Sequence, residues 1–175
     1  MNIEYKTDFF NRLKKINKPN FMRRLVNRSG VIAEHFSKER FVNKDWLNGS
    51  SSKKWVPWSE RTKKQRNGGG SLLIGKQSGR LKKSIRKLSQ GDYFVYVGTD
   101  VPYAKIHNEG GEINKTVSVR THNRKRNGRS QVVKSHRRKM KLKIPQRQFL
   151  GESTALVKRL ERFANEEIKK EIQNL

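Results

Sequence analysis

"YVGTDVPYAKIHNEGGE" (residues 96–112) holds three acids and one Lys in a chain whose formal charge is +27. It enters as an apolar strand, then presents a Pro, a Tyr, a His and two glycines. That order reads as a strand ending at Gly98-Thr99 and a short helical turn capped by Asp100, with Pro102 in an early position. Gly110 or Gly111 then closes the turn in a left-handed conformation. The stretch reads as a corner, and the elements on either side follow from it.

Upstream, "YFVYV" (93–97) is the strongest strand signal in the chain, rich in aromatic and β-branched residues. "SIRKLS" (84–89) pairs with it through a turn around Gln90-Gly91-Asp92, giving a short antiparallel hairpin. Downstream, "SVRTHNRKR" (118–126) is echoed by "VVKSHRRKM" (132–140), and Asn127-Gly128 between them is a hairpin turn signal. Residues 114–143 hold 12 basic residues and no acid. Neither strand alone has enough apolar residues to bury a face. The pair therefore predicts a long basic β-arm that projects from the domain and gains order on a partner.

Helices flank this β region. Phe9, Leu13 and Ile16 recur at helical spacing until Pro19 stops the run. Asn20 is placed to cap a second helix, with Met22, Leu25, Ile32, Ala33 and Phe36 on one stripe and Arg23, Arg24, Arg28 and Lys38 off it. A final helix over 152–174 lines up Leu156, Leu160, Phe163, Ala164, Ile168 and Ile172, with alternating charges elsewhere. Residues 42–70 are dense in turn formers and read as an irregular loop. Within it Trp55 and Trp58 flank Pro57. They either cover a core edge or offer a contact surface to another subunit. The sum is an α+β fold in one domain spanning 1–175: two N-terminal helices, a small antiparallel sheet with a protruding basic hairpin, and a C-terminal helix.

Composition limits the function. The chain is 32% hydrophobic and 33% charged, so its core is modest and some surface waits for assembly. It has no Cys, which removes disulfides and thiolate metal sites. "MNIEYKTDFF" lacks the apolar region of a signal peptide, and no run reaches the roughly 20 apolar residues of a membrane span. A soluble intracellular product without a membrane partner is expected.

Enzymatic signatures are weak. "GSLLIGKQ" (70–77) approaches the phosphate-binding loop, but Gln77 replaces the magnesium-holding hydroxyl and no buried strand precedes it. His107-Asn108-Glu109 matches the H-x-E of zinc deaminases, which also need cysteines that are absent here. His122 and His136 occupy equivalent places in the two arm strands, where they would face each other. The surrounding positive field opposes a cation there. No carboxylate cluster suits metal-assisted phosphate chemistry. No catalytic residue, metal or cofactor is expected. Clustered Lys and Arg on the arm suit phosphates, but no aromatic residue is there to stack bases.

"SGRLKKSI" (78–85), "VYVGTDVPYAKIHNEGG" (95–111) and "IPQRQFLGES" (144–153), in this order and spacing, resemble the phage virion morphogenesis family. "WVPWSERT" (55–62) is similar to an upstream segment of that family, and the likeness spans roughly 36–153. The resemblance implies a non-enzymatic structural protein of a phage or prophage that finishes the head-proximal end of the tail for head–tail joining. Its partners would be tail and neck proteins and copies of itself in a ring. It would be cytoplasmic in the bacterial host during assembly and then part of the virion. Tyr103, His107, Gly110, Arg147, Phe149 and Leu150 match the family pattern and read as corner and anchor residues. Trp55, Trp58, Arg120, Arg124, Lys125, Arg126, Arg137 and Arg138 are the candidate interface. The arm is longer than the simplest family pattern, so its role does not follow from the resemblance. A nucleic-acid-binding module using the 114–143 arm is the rival reading.

Overall fold

The computed structural model describes residues 19–66, 70–74 and 79–174. The helix expected over Phe9–Ile16 lies outside them. The first described element, α1 (Pro19–Asn43), runs 25 residues. It starts at Pro19, so Asn20 lies in the first turn rather than at the cap. Its buried face is Phe21, Val26, Gly30, Phe36, Ser37, Arg40 and Phe41. Of the expected stripe only Phe36 is fully covered. The other buried positions are the apolar Phe21, Val26 and Phe41, off the expected stripe, and the small or polar Gly30, Ser37 and Arg40. A Cβ on Gly30 would sit 2.7 Å from Val95 Cγ2.

The region 42–70 is more ordered than its turn-rich composition predicts. A tight hairpin, β1 (Asp45–Asn48) and β2 (Ser51–Lys54), is followed by a short helix, α2 (Glu60–Gln65). Gly49, at φ +60, turns the hairpin, and the Ser59 hydroxyl caps α2 by accepting from Thr62 N at 3.3 Å. Composition misreads this stretch because its order comes from a buried ion pair. Arg40 Nη1 lies 2.9 Å from Asp45 Oδ1, and both side chains are withdrawn from water. Ser52 Oγ donates to the other Asp45 oxygen at 2.6 Å, which ties β2 to the pair.

Helix α3 (Arg80–Ser84) leads into the hairpin β3 (Arg86–Gln90) and β4 (Val95–Gly98). The pairing partners are as the sequence indicates, with a bulge at Leu88. The turn is longer, because Gly91 N donates to Phe94 O at 2.9 Å and leaves Tyr93 and Phe94 outside the ladder. After α4 (Ala104–Glu109) comes the arm, built from β5 (Gly111–Val119), β6 (His122–Arg126), β7 (Arg129–Val133) and β8 (His136–Ile144). The chain ends in α5 (Thr154–Gln173), capped by Ser153.

The fold is α+β. Among the described residues the strands form four separate two-stranded sheets rather than one small sheet. The core gathers Phe41, Trp55, Leu72, Leu81, Ile85, Val101, Ala104 and Phe149. Helix α5 lies on α1 through the ion pairs Arg24–Glu171 (2.8 Å) and Arg28–Glu167 (2.9 Å). No residue of α5 is fully buried, so its apolar stripe is only half covered. No described helix is long and apolar enough to cross a membrane.

Candidate assembly interface

The opening stretch is a strand, a turn, a six-residue helix and a positive-φ exit, with φ of 76° at Gly110 and 147° at Gly111. Asp100 does not cap the helix. It pairs with Arg86 at 3.1 Å, and the Thr99 hydroxyl accepts from Val101 N at 3.2 Å instead. Two chain segments are locked onto this corner. Arg147 N donates to His107 O at 2.8 Å, while Arg147 Nε and Nη2 reach Val56 O (3.0 Å) and Pro57 O (3.4 Å). Asn108 Oδ1 accepts from both Phe149 N and Leu150 N at 2.9 Å, and its Nδ2 donates to Leu150 O at 3.0 Å. Phe149 is fully buried, its ring centroid 5.0 Å from that of Phe41. The backbones meet so closely that a Cβ on Gly110 would lie 2.8 Å from Gln146 N.

Asn108 satisfies three backbone groups here, and sequence reasoning passed over it as the middle of an H-x-E. Among the described residues no three His, Asp or Glu side chains converge, at the H-x-E or elsewhere. Tyr103 stands edge-on to His107, with ring centroids 6.0 Å apart. Burial, and then the charge of Arg147, lowers the His107 pKa from 6.5. Burial also lowers that of Arg147.

The candidate interface residues separate into two environments. Trp55 is 6% exposed and donates through Nε1 to Gln148 O at 2.8 Å. It already belongs to the chain's own core, so no ring contact gains its burial. Trp58 is half-buried, with the Arg66 guanidinium 4.8 Å over its ring. In "GSLLIGKQ", whose residues 70–74 are described, Leu72 packs into the core and Ser71 bridges Ile74.

The arm carries the remaining residues. Its strands hold one register from Gly111↔Ile144 to Arg126↔Arg129, broken only at 120–121 and 134–135. Asn127 (φ 51) and Gly128 (φ 76) make the two-residue turn with both φ positive. At 16 residue positions per strand the ribbon is about 50 Å long. The sequence echo becomes a local two-fold. Val119 pairs with His136 and His122 with Val133, and each His ring meets the carbonyl two residues before it at 2.9 Å. The two histidines therefore do not face each other, because the register sets each opposite the other repeat's Val.

Pairing also builds what neither strand holds alone. The alternation of side chains puts Ile113, Val117, Val119, Met140, Leu142 and Ile144 on one face, where Lys115, His136 and Arg138 are the polar members. The opposite face carries Arg137, Lys139, Lys141 and Lys143 across from Glu112, Asn114, Thr116 and Ser118. Arg120, Arg124, Arg137 and Arg138 are exposed, as is Lys125, while Arg126 holds the last ladder position before the turn.

One surface escaped the sequence reading. Leu88, Phe94 and Tyr96 stand exposed on the β3–β4 hairpin, and the Phe94 and Tyr96 rings are 5.3 Å apart. The strand pattern contained the signal, since Phe94 and Tyr96 alternate with the half-buried Val95 and Val97.

A sequence profile of the phage virion morphogenesis family matches residues 9–169, and the chain belongs to that family. This chain takes part in virion morphogenesis with other virion proteins, in a structural or assembly role. Neither a curated protein nor a solved structure matches it.

Proposed function

We propose that the protein is a non-enzymatic tail-completion factor that finishes the head-proximal end of a phage tail and readies it for head–tail joining. The observation that carries this reading is the family match over residues 9–169 together with a body that anchors a long two-faced ribbon at a rigid corner. Tyr103, His107, Gly110, Arg147, Phe149 and Leu150 serve as the anchor that fixes the direction of the ribbon. The arm docks on a neighbouring virion protein with its apolar face against the partner's surface and its basic face toward acidic groups.

The protein works as a ring of identical subunits. A chain of +27 repels its copies, though screening over about 8 Å at physiological salt confines that repulsion to close charges. Ring contacts therefore fall on apolar surface, and the exposed Leu88, Phe94 and Tyr96 supply it. The ring assembles in the host cytoplasm and stays in the tail or neck of the virion.

Deleting the gene from its phage or prophage and imaging the induced lysate tests the reading. Separate filled heads and unfinished tails are expected; joined, infectious particles in normal number would overturn it. The rival, a nucleic-acid-binding module, is favoured by the 12 basic residues of 114–143. Binding to unrelated duplex DNA across a salt series separates the two. Phosphate contacts alone lose affinity steeply as salt rises, so weak binding erased by modest salt leaves the assembly role ahead. Tight binding that persists at physiological salt would favour the rival.

A further inference from the structure

At the root of the arm a cleft of about 720 Å³ opens between the loop at Trp58, the helix α3 and the end of β8. Its described lining contains three arginines, a lysine and His107, and no Asp or Glu. Two nitrogens on this lining, Arg66 Nη1 and His107 Nδ1, are buried with no hydrogen-bond partner. Buried polar groups are almost always satisfied, and a buried guanidinium N–H without an acceptor is costly. The Arg66 N–H on this acid-free cleft marks the place of a missing acceptor, while His107 Nδ1 donates or accepts according to the ring's tautomer. Trp58, Leu81 and Ile144 give the same cleft an apolar wall.

We propose that this cleft receives an extended acidic segment of a partner protein, with a carboxylate meeting Arg66 and an adjacent apolar side chain entering between Trp58, Leu81 and Ile144. The volume lies within the roughly 300–1,000 Å³ usual for small-ligand pockets. It suits a few residues of peptide and is too narrow for a duplex, whose phosphates would reach only its rim. A planar guanidinium stacked on an indole is preorganised for a carboxylate, so little side-chain freedom is lost on binding. Leu142, Lys143 and Ile144 belong to the arm, so an occupied cleft holds the ribbon and the body to one ligand. The cleft stands on its own lining; only its use in joining virion parts rests on the reading given above.

The test uses the full chain and the blocked peptide Leu-Glu-Leu-Glu, followed by calorimetry and by tryptophan fluorescence, with Leu-Gln-Leu-Gln, inorganic phosphate and a short duplex as competitors. The Glu peptide should bind, and the Gln peptide at least about tenfold more weakly, the scale of one charge-assisted bond. Arg66→Gln should produce a similar loss and Arg66→Lys a smaller one. Lys143→Gln, at an exposed position on the arm, provides a second variant with little risk to folding. The pair Arg137→Gln and Arg138→Gln, remote from the cleft, should leave affinity unchanged. Equal binding of the Glu and Gln peptides, or loss only with the remote pair, would overturn the proposal. Full displacement by phosphate or duplex would overturn it too, in favour of a general anion site. If the peptide binds while gene deletion leaves particles normal, the site stands and the tail-completion reading falls.

Discussion

Asp45→Asn removes one charge from the most deeply buried ion pair among the described residues. Arg40 is 2% exposed, and its Nη1 lies 2.9 Å from Asp45 Oδ1. The substitution keeps shape and turns a charged acceptor into a neutral amide, so the guanidinium stays buried without its counter-charge. Breaking a buried pair from one side costs about 3–5 kcal/mol. Glu39, 3.3 Å from Arg40 Nη2, supplies some compensation, but it is 43% exposed and screened by solvent. The Phe36 carbonyl (3.2 Å) and ring (4.7 Å) add a little more. The expected loss is therefore at the lower end, about 3 kcal/mol, which for a chain of this size lowers Tm by about 6–12 °C. Urea unfolding followed by fluorescence reads it directly, since Trp46 and Trp55 are both buried nearby. The double variant Arg40→Met with Asp45→Leu should recover most of the loss, because an apolar pair needs no desolvation of charge. A loss below about 1 kcal/mol, the scale of a surface pair, would refute the reasoning. So would a double variant less stable than Asp45→Asn.

Gly110→Ala and Gly128→Ala make an instructive comparison: both glycines sit at φ 76°, but Gly110 has ψ 179°, a region open essentially to Gly alone. At Gly128 a Cβ meets nothing within 4 Å, so only the left-handed penalty of about 1 kcal/mol applies. At Gly110 it meets Gln146 N at 2.8 Å, and urea midpoints should show a loss larger by about 1 kcal/mol or more. Asn108→Ala orphans Phe149 N and Leu150 N and should cost about 2–4 kcal/mol by the same measurement, while Asn108→Asp keeps the acceptor and should cost less. The lowered His107 pKa means the unfolded chain takes up a proton near pH 6.5 that the folded chain refuses. Stability is then full above that pH and falls as pH drops through it toward the lower folded value. Arg147, Arg66, Arg80 and Lys143 share the His107 cleft and no described carboxylate lines it, so nothing there offsets the trend. A pH series of unfolding midpoints should show this decline, and His107→Asn should flatten it.

Much of the fold was legible where one chain segment decides its own structure. The C-terminal helix announced itself by an apolar stripe from Leu156 to Ile172, and Asn127-Gly128 marked the arm's turn. Legibility failed where a second segment decides. Arg40 reads as one more surface cation until Asp45 and Ser52 are folded against it. Asn108 gains meaning only when residues 149–150 arrive 41 and 42 positions later. Gly30, a weak point in a helix by propensity, is the gap into which Val95 fits. The apolar face of the arm was hidden for the same reason. Ile113 meets Leu142 directly, and Val117 and Val119 come onto the same face as Met140 and Ile144 only through the register. The orphaned nitrogens of the cleft are a property of three-dimensional surroundings that no spacing encodes.

The proposed docking of the ribbon onto another virion component has one direct test: complementation of an extract lacking the protein, using the full chain and a chain in which residues 115–140 are replaced by Asn-Gly. The full chain should restore joined particles, and the shortened one should fold, by unchanged tryptophan fluorescence, yet leave heads and tails apart. Equal restoration by both chains would contradict the account.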